Sequence, residues 1–212
     1  MPAAIAVVVL TLDAALSGCS AGLVSDGEVV AERHLDGARG HAAALPEMAA
    51  AVLAEAGVAA AALSMVAVTV GPGSFTGLRA ALSLAHGIGA AAGVPVAGVT
   101  VGEALNVPAD GRLHWAAVDT RRGRVFLDCC GNVRSVALDE LPAPDRPVTV
   151  GGDAAAAVAE WLAGAGYDVR QGQARPGPAG IAAAALRRAA AGLTPRPAQP
   201  LYVDPPEARP AG

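Results

Sequence analysis

The chain has 212 residues, a net charge of −4, 53% hydrophobic content and only six aromatic side chains, so Ala, Val, Leu and Gly must fill its interior. All fifteen basic side chains are arginine, which excludes a P-loop lysine and a Schiff-base lysine, and the acidic balance argues against a broad nucleic-acid surface. No apolar run reaches the length of a membrane span and Met1-Pro2 carries no positive n-region, so a cytoplasmic protein without membrane contact is expected.

The run from Ala3 to Leu12 is apolar and Val-rich, suited to a strand buried on both faces. Cys19–Val24 and Val29–Leu35 flank Ser25-Asp26-Gly27-Glu28, whose Asp-Gly pair predicts a hairpin. A helix is predicted over Pro46–Ala56, with Pro46 in its first turn and Gly57 as its stop. Leu45, Met48, Val52 and Ala56 share one face of it. Met65–Val70 is the next strand, followed by the turn Gly71-Pro72-Gly73-Ser74-Phe75-Thr76-Gly77 and a helix to about Ala92. Pro95–Val99 reads as a short buried strand and Val101–Asn106 as a short helix.

From about Pro108 the pattern partly repeats. His114–Val118 and Arg124–Cys129 are strands joined by Asp119-Thr120-Arg121-Arg122-Gly123, with a third at Asn132–Ala137. A strand at Val148–Val150 and helices at Ala154–Ala163 and Gly180–Ala191 follow. The last 18 residues hold six prolines and should run extended, on the surface or over a neighbouring domain. This order predicts an α/β protein of two similar halves, residues 1–107 and 108–212, the second truncated.

Chemistry-bearing clusters are sparse. Cys19, Cys129 and Cys130 form no C-x-x-C, which argues against a disulfide framework or zinc site. His34, His41, His86 and His114 lack helical metal-ligand spacing, so no intrinsic metal is expected. Asp13 and Asp119 head corresponding turns in the two halves, as carboxylates of a Mg-nucleotide site would, but no phosphate-cradling glycines surround them. A degenerate site without an intrinsic cofactor is the expectation.

The Gly71–Gly77 turn leaves three readings open: a tight structural turn, an anion site at a helix start, and a nucleophile at Ser74. The helix behind it carries Arg79, Ser83 and His86 as one polar stripe. Gly77, Ala81, Ala85 and Gly89 recur every four residues as a strip of small side chains that would let another backbone come close. Its cover could be this chain's own core or a second subunit.

Val70 to Leu78, reading VGPGSFTGL and continuing through Arg79 to Gly93-Val94-Pro95-Val96, resembles the TsaB (YeaZ) family. Asp13 with Cys19–Leu23 and Asp26-Gly27 is similar to that family's opening hairpin, and His41 to a histidine at the entry to the first helix. Val118–Phe126 resembles its D-A-R-R-x-x-V-Y segment, and Pro200–Val203 its closing stretch. The chain departs from the family pattern at Ala14-Ala15 in place of Thr-Ser, at the alanines after His41, and at Tyr202-Val203-Asp204.

The resemblance implies an actin-like ATPase (ASKHA, ribonuclease H-like) fold with two lobes, the second shrunken. It implies a non-catalytic scaffold in the synthesis of threonylcarbamoyl-adenosine beside the tRNA anticodon. The partners it implies are the transferase TsaD and the ATPase TsaE, with self-association as a homodimer and tRNA met only through the complex. ATP or ADP and a metal then belong to the partner subunits. Met48, Val52, Gly77, Ala81, Ala85 and Gly89 are the expected contact face. The competing expectation is an autonomous enzyme of the same fold, a small-molecule kinase or a peptidase using Ser74.

Overall fold

The computed structural model describes residues 6–37, 40–106, 111–129 and 131–203. The expected strand start at Ala3, the division at 107/108, Cys130, and the chain from Asp204 onward lie outside the described residues.

β1 (Val8–Asp13), β2 (Gly18–Ser25) and β3 (Glu28–Asp36) form an antiparallel meander. The hairpin between β2 and β3 turns on Asp26 (φ 49°) and Gly27 (φ 90°), the two left-handed residues an Asp-Gly pair supplies. β4 (Met65–Gly71) lies parallel to β1, and β5 (Val96–Thr100) parallel to β4. The first sheet therefore runs β3-β2-β1-β4-β5.

The second sheet comprises β6 (Leu113–Asp119), β7 (Val125–Cys129), β8 (Asn132–Val136), β9 (Val148–Gly151) and β10 (Val169–Gln171), in the order β10-β9-β6-β7-β8. Read from its other end, that is the same third-second-first-fourth-fifth arrangement. Each half is thus a meander extended by two parallel strands. In the first half the connections are α1 (His41–Glu55) and α2 (Phe75–Ala92). In the second, α4 (Ala155–Gly164) corresponds to α2, while only a 3₁₀ turn at Leu138–Glu140 stands where α1 would be. That missing helix is the truncation.

Strand parity divides the interior. Val8, Leu10 and Leu12 on β1 and Val66, Val68 and Val70 on β4 face one cluster, covered by α1 and α2. Val9, Met65 and Ala67 face the opposite way, under Ile181, Ala182 and Ala185 of α5 (Pro178–Ala190). On β6, Trp115 and Ala117 join the core beneath α4, whereas Ala116 and Val118 join the first-sheet cluster. The closing helix α5 packs on the first sheet and on α3 (Val101–Leu105), although it comes late in the chain.

One boundary and one strand differ from expectation. α1 begins at His41 rather than Pro46, with Pro46 inside it. Ala42–Ala44 are strong helix formers and carry the helix back past the proline, which forgoes one backbone donor. β10 was not anticipated, because three residues reading Val-Arg-Gln carry no usable periodicity.

The glycine turn and the candidate partner face

β4 delivers the chain into the Gly71–Gly77 turn beside the segment that leaves β1. Ser74 N donates to the Ala15 carbonyl at 2.7 Å. A Cβ added at Gly73 would overlap that same carbonyl, and one at Gly77 would overlap the carbonyl of Ala14. Both glycines are therefore required by backbone approach. Ser74 caps α2 by accepting from Gly77 N at 3.2 Å, which satisfies one of the donors a helix start leaves open. Ser74 thus joins the segment after β1 through its N–H and caps α2 through its hydroxyl.

Asp13 is buried at the end of β1. Its Oδ1 accepts from Thr69 Oγ1 at 2.5 Å and from Ala15 N at 3.1 Å, so its carboxylate ties β1 to β4 and shapes its own turn. Asp119, at the corresponding end of β6, accepts from Arg121 N at 2.7 Å and donates its own N–H to Asp153 Oδ1 at 2.9 Å. Burial, reinforced by the charge of Asp119, pushes the Asp153 carboxyl above its ordinary value. A Cβ at Gly152 would overlap the Ala117 carbonyl, so the second half is closed by a similar backbone contact. Among the described residues no group of three His, Cys, Asp or Glu side chains is disposed to hold a metal. No helix among them is long and apolar enough to cross a membrane.

A second acidic pair lines a cleft of about 410 Å³ between α3 and the β6–β7 ladder. Asp128 is buried there; burial, then the charge of Glu103, raises its carboxyl, although Oδ1 accepts from Gly131 N at 2.7 Å. Burial also works against ionised Glu103, but hydrogen bonds from Arg196 and Thr100 N, and the charge of Arg196, outweigh it and hold that carboxyl low.

The expected contact face is largely internal. Gly77, Ala81, Ala85 and Gly89 are buried, and a Cβ at Gly89 would overlap the side chain of Val96. Val52 is also fully buried, and Met48 is half-buried with its sulfur 3.9 Å from Cys19 Sγ. The strip of small residues thus lets α2 sit close on its own sheet; it corrects the expectation that these residues face a partner. The side of α2 turned outward carries Thr76, Ser83, Gly87 and Ala90. A side chain at Gly87 would meet nothing within 4 Å.

The polar stripe of α2 holds the C-terminal tail, which sequence reasoning left to the surface or a neighbouring domain. His86 Nε2 donates to the Ala198 carbonyl at 2.8 Å, and an Arg79 N–H reaches Tyr202 Oη at 3.4 Å. Arg79 Cζ stands 3.8 Å above the Phe75 ring, whose centroid is 6.4 Å from that of Tyr202. The tail also meets the sheet: Gly98 N donates to the Arg196 carbonyl at 2.9 Å and Leu201 N to the Val70 carbonyl at 2.7 Å. Polar spacing on an apolar helix was the one available signal for this contact.

Two mixed sheets of like order, sharing a core in which Ala14–Leu16 after β1 meet the cluster that also holds Ala116 and Val118 of β6, define a protein of the actin-like ATPase fold. A family model described as TsaD, tRNA N6-adenosine threonylcarbamoyltransferase, matches residues 30–137, about half the chain. An uncharacterised protein of Mycobacterium tuberculosis is 35% identical over 95% of this chain and 94% of its own length. The Escherichia coli tRNA threonylcarbamoyladenosine biosynthesis protein TsaB is 32% identical over 56% of this chain and 52% of its own. A Pseudomonas aeruginosa structure, of an uncharacterized protein with similarity to peptidase YeaZ, superposes with a TM-score of 0.78 at 23% identity. That superposition covers 93% of this chain and 100% of that one. The chain belongs to the family of that TsaD model, and the TsaB and YeaZ proteins are what it is similar to within it.

Proposed function

We propose that this chain is a non-catalytic scaffold in the synthesis of threonylcarbamoyl-adenosine in tRNA, where it binds and supports a TsaD transferase. The observation that carries the reading is the inward closure of the first turn. Asp13 is spent on Thr69 and Ala15 N, and the glycine turn sits on the Ala14-Ala15 backbone where a nucleotide phosphate would need room. A fold of this class that fills its own phosphate loop serves by contact. Nucleotide and metal then belong to the TsaD and TsaE partners, and tRNA is met only through the complex. The outward side of α2, with neighbouring α1, is the face that docks, and self-association uses the same surface.

The autonomous-enzyme alternative draws its support from Ser74, which is exposed. Its hydroxyl oxygen already accepts from Gly77 N, and among the described residues no His or Asp side chain bonds to it. The capping role accounts for the serine.

The test is light scattering after size exclusion, with this chain alone and mixed with the TsaD of its own organism. A heterodimer with wild type and none with Gly87→Glu is the expected result, since a side chain at Gly87 points away from this chain's atoms. A chain that ignores TsaD and hydrolyses ATP or a peptide unaided sinks the reading. Ala81→Glu is unsuitable, because Ala81 is buried in the chain's own core.

A further inference from the structure

We infer that Phe75, Arg79 and Tyr202 form an anchor for a carboxylate presented by the partner subunit, and that the tail is strapped along α2 to complete it. The inference rests on the partner reading above and names what that surface recognises.

Phe75 and Tyr202 are 56% and 58% exposed in a chain with six aromatic residues. Large aromatic surface is ordinarily turned inward, and exposed neighbours of this kind mark contact sites. These two come from distant parts of the chain and meet around a single guanidinium. Arg79 is stacked over the Phe75 ring and bonded to Tyr202 Oη, so its head group is oriented before any partner arrives. Much of the side-chain ordering that binding ordinarily costs is therefore already met within the chain.

Among the described residues the charge of that group has no carboxylate partner. Arg33, Arg112, Arg124, Arg175 and Arg196 each meet a carboxylate of this chain. Arg79 meets none among the described residues. A planar guanidinium stacked on one ring and bonded to the hydroxyl of another suits a carboxylate flanked by apolar side chains, and Tyr and Arg are the residue types that dominate protein contacts. A tRNA backbone is a poorer complement, because phosphate binding is built from several cations and this chain is net negative.

The strap explains why a tail should cross α2 at all. Its bonds to His86, Gly98 and Val70 bring Tyr202 to the helix start. A Cβ at Gly98 would stand 2.6 Å from the Pro197 carbonyl and 2.7 Å from Val70 Cγ1, so Gly98→Ala crowds the tail and the β4 residue beneath it without touching the outward face of α2.

The test is calorimetric titration of the full chain with its own organism's TsaD, with circular dichroism to confirm that each variant folds. Arg79→Glu should weaken binding by about tenfold or more, and Phe75→Ala, Tyr202→Ala and Gly98→Ala each by severalfold. Arg79→Gln should also flatten the salt dependence of the affinity. If wild type binds, Gly87→Glu does not, and the Arg79 and Tyr202 variants bind like wild type, the anchor is overturned while the partner reading stands. If wild type fails to bind TsaD, the partner reading itself fails. Arg79 effects confined to binding of tRNA, or to association of two copies of this chain, would also overturn the assignment.

Discussion

Gly73 and the Ala15 carbonyl are in such close approach that a single methyl group at position 73 would overlap the carbonyl oxygen. The atom in the way is backbone, held in turn by the 2.7 Å bond from Ser74 N. It cannot swing aside as a flexible side chain does. Gly73→Ala should therefore destabilise the fold by about 1–3 kcal/mol, the usual range for forced overpacking. Urea unfolding of the purified variant measures it; an unchanged midpoint would show that the turn relaxes freely and that the closure of β1 on α2 is loose.

Two glycines one half-turn apart on α2 should respond with opposite signs. Gly87 faces open space, so Gly87→Ala restores helix propensity and should add about 0.5–1 kcal/mol. Gly89 lies against Val96, and Gly89→Ala must push that side chain or the helix away from β5. Its overpacking cost exceeds the propensity gain, and thermal melting should show the first variant above wild type and the second below it. Two stabilised variants would mean that α2 does not sit tightly on its sheet.

The strands other than β10, and the glycine turn, were readable because their signals are local. Val-rich runs, the Asp26-Gly27 hairpin and Gly93 at the end of α2 each act within a few residues. The partial repeat of elements between the halves followed from the same local patterns, whereas the order of strands within each sheet came from the structure. The direction in which the Gly77–Gly89 strip faces was not readable, since small residues permit close approach by the chain's own sheet or by another molecule alike. The pairing of Arg79 with Tyr202, and of His86 with Ala198, joins segments more than a hundred residues apart and leaves no periodic trace. Asp128 shows the same limit. Its position on β7 is legible, but its burial against α3 depends on how the second sheet meets the first.

Asp128 and Glu103 share one cleft and should titrate with opposite effect on stability. Burial raises the Asp128 carboxyl in the folded state, so its ionised form opposes folding at neutral pH, and that penalty fades as pH falls through the folded value. Asp128→Asn keeps an oxygen acceptor for Gly131 N and removes the charge. The variant should be more stable than wild type at neutral pH, with the advantage disappearing below about pH 4, the ordinary carboxylate range. The Glu103 carboxyl is held low despite its burial, so its contribution is present above the unfolded value and is lost as pH falls through the folded one. Glu103→Gln should accordingly be less stable than wild type at neutral pH and converge with it in acid. Denaturation midpoints across pH test both. Parallel curves for either variant would contradict the assignment for that group.

The tail should loosen from one point. His86 supplies a hydrogen bond to the Ala198 carbonyl from the face of α2, while Leu201 N and Gly98 N secure the neighbouring stretches to β4 and β5. Because the bond is only partly buried, its removal should cost about 0.5–1.5 kcal/mol, and that cost falls on local opening of the tail rather than on global unfolding. In His86→Ala, hydrogen exchange at the Leu201 and Gly98 amides should accelerate by about two- to tenfold, following the shift in that opening equilibrium. Amides inside β1, such as that of Leu10, should be unaffected, since their protection comes from the sheet. Acceleration throughout the first sheet would mean that the tail is an integral part of the core and not a strap laid over it. No change at Leu201 would mean that the sheet bonds alone hold it and that the polar stripe of α2 has another purpose.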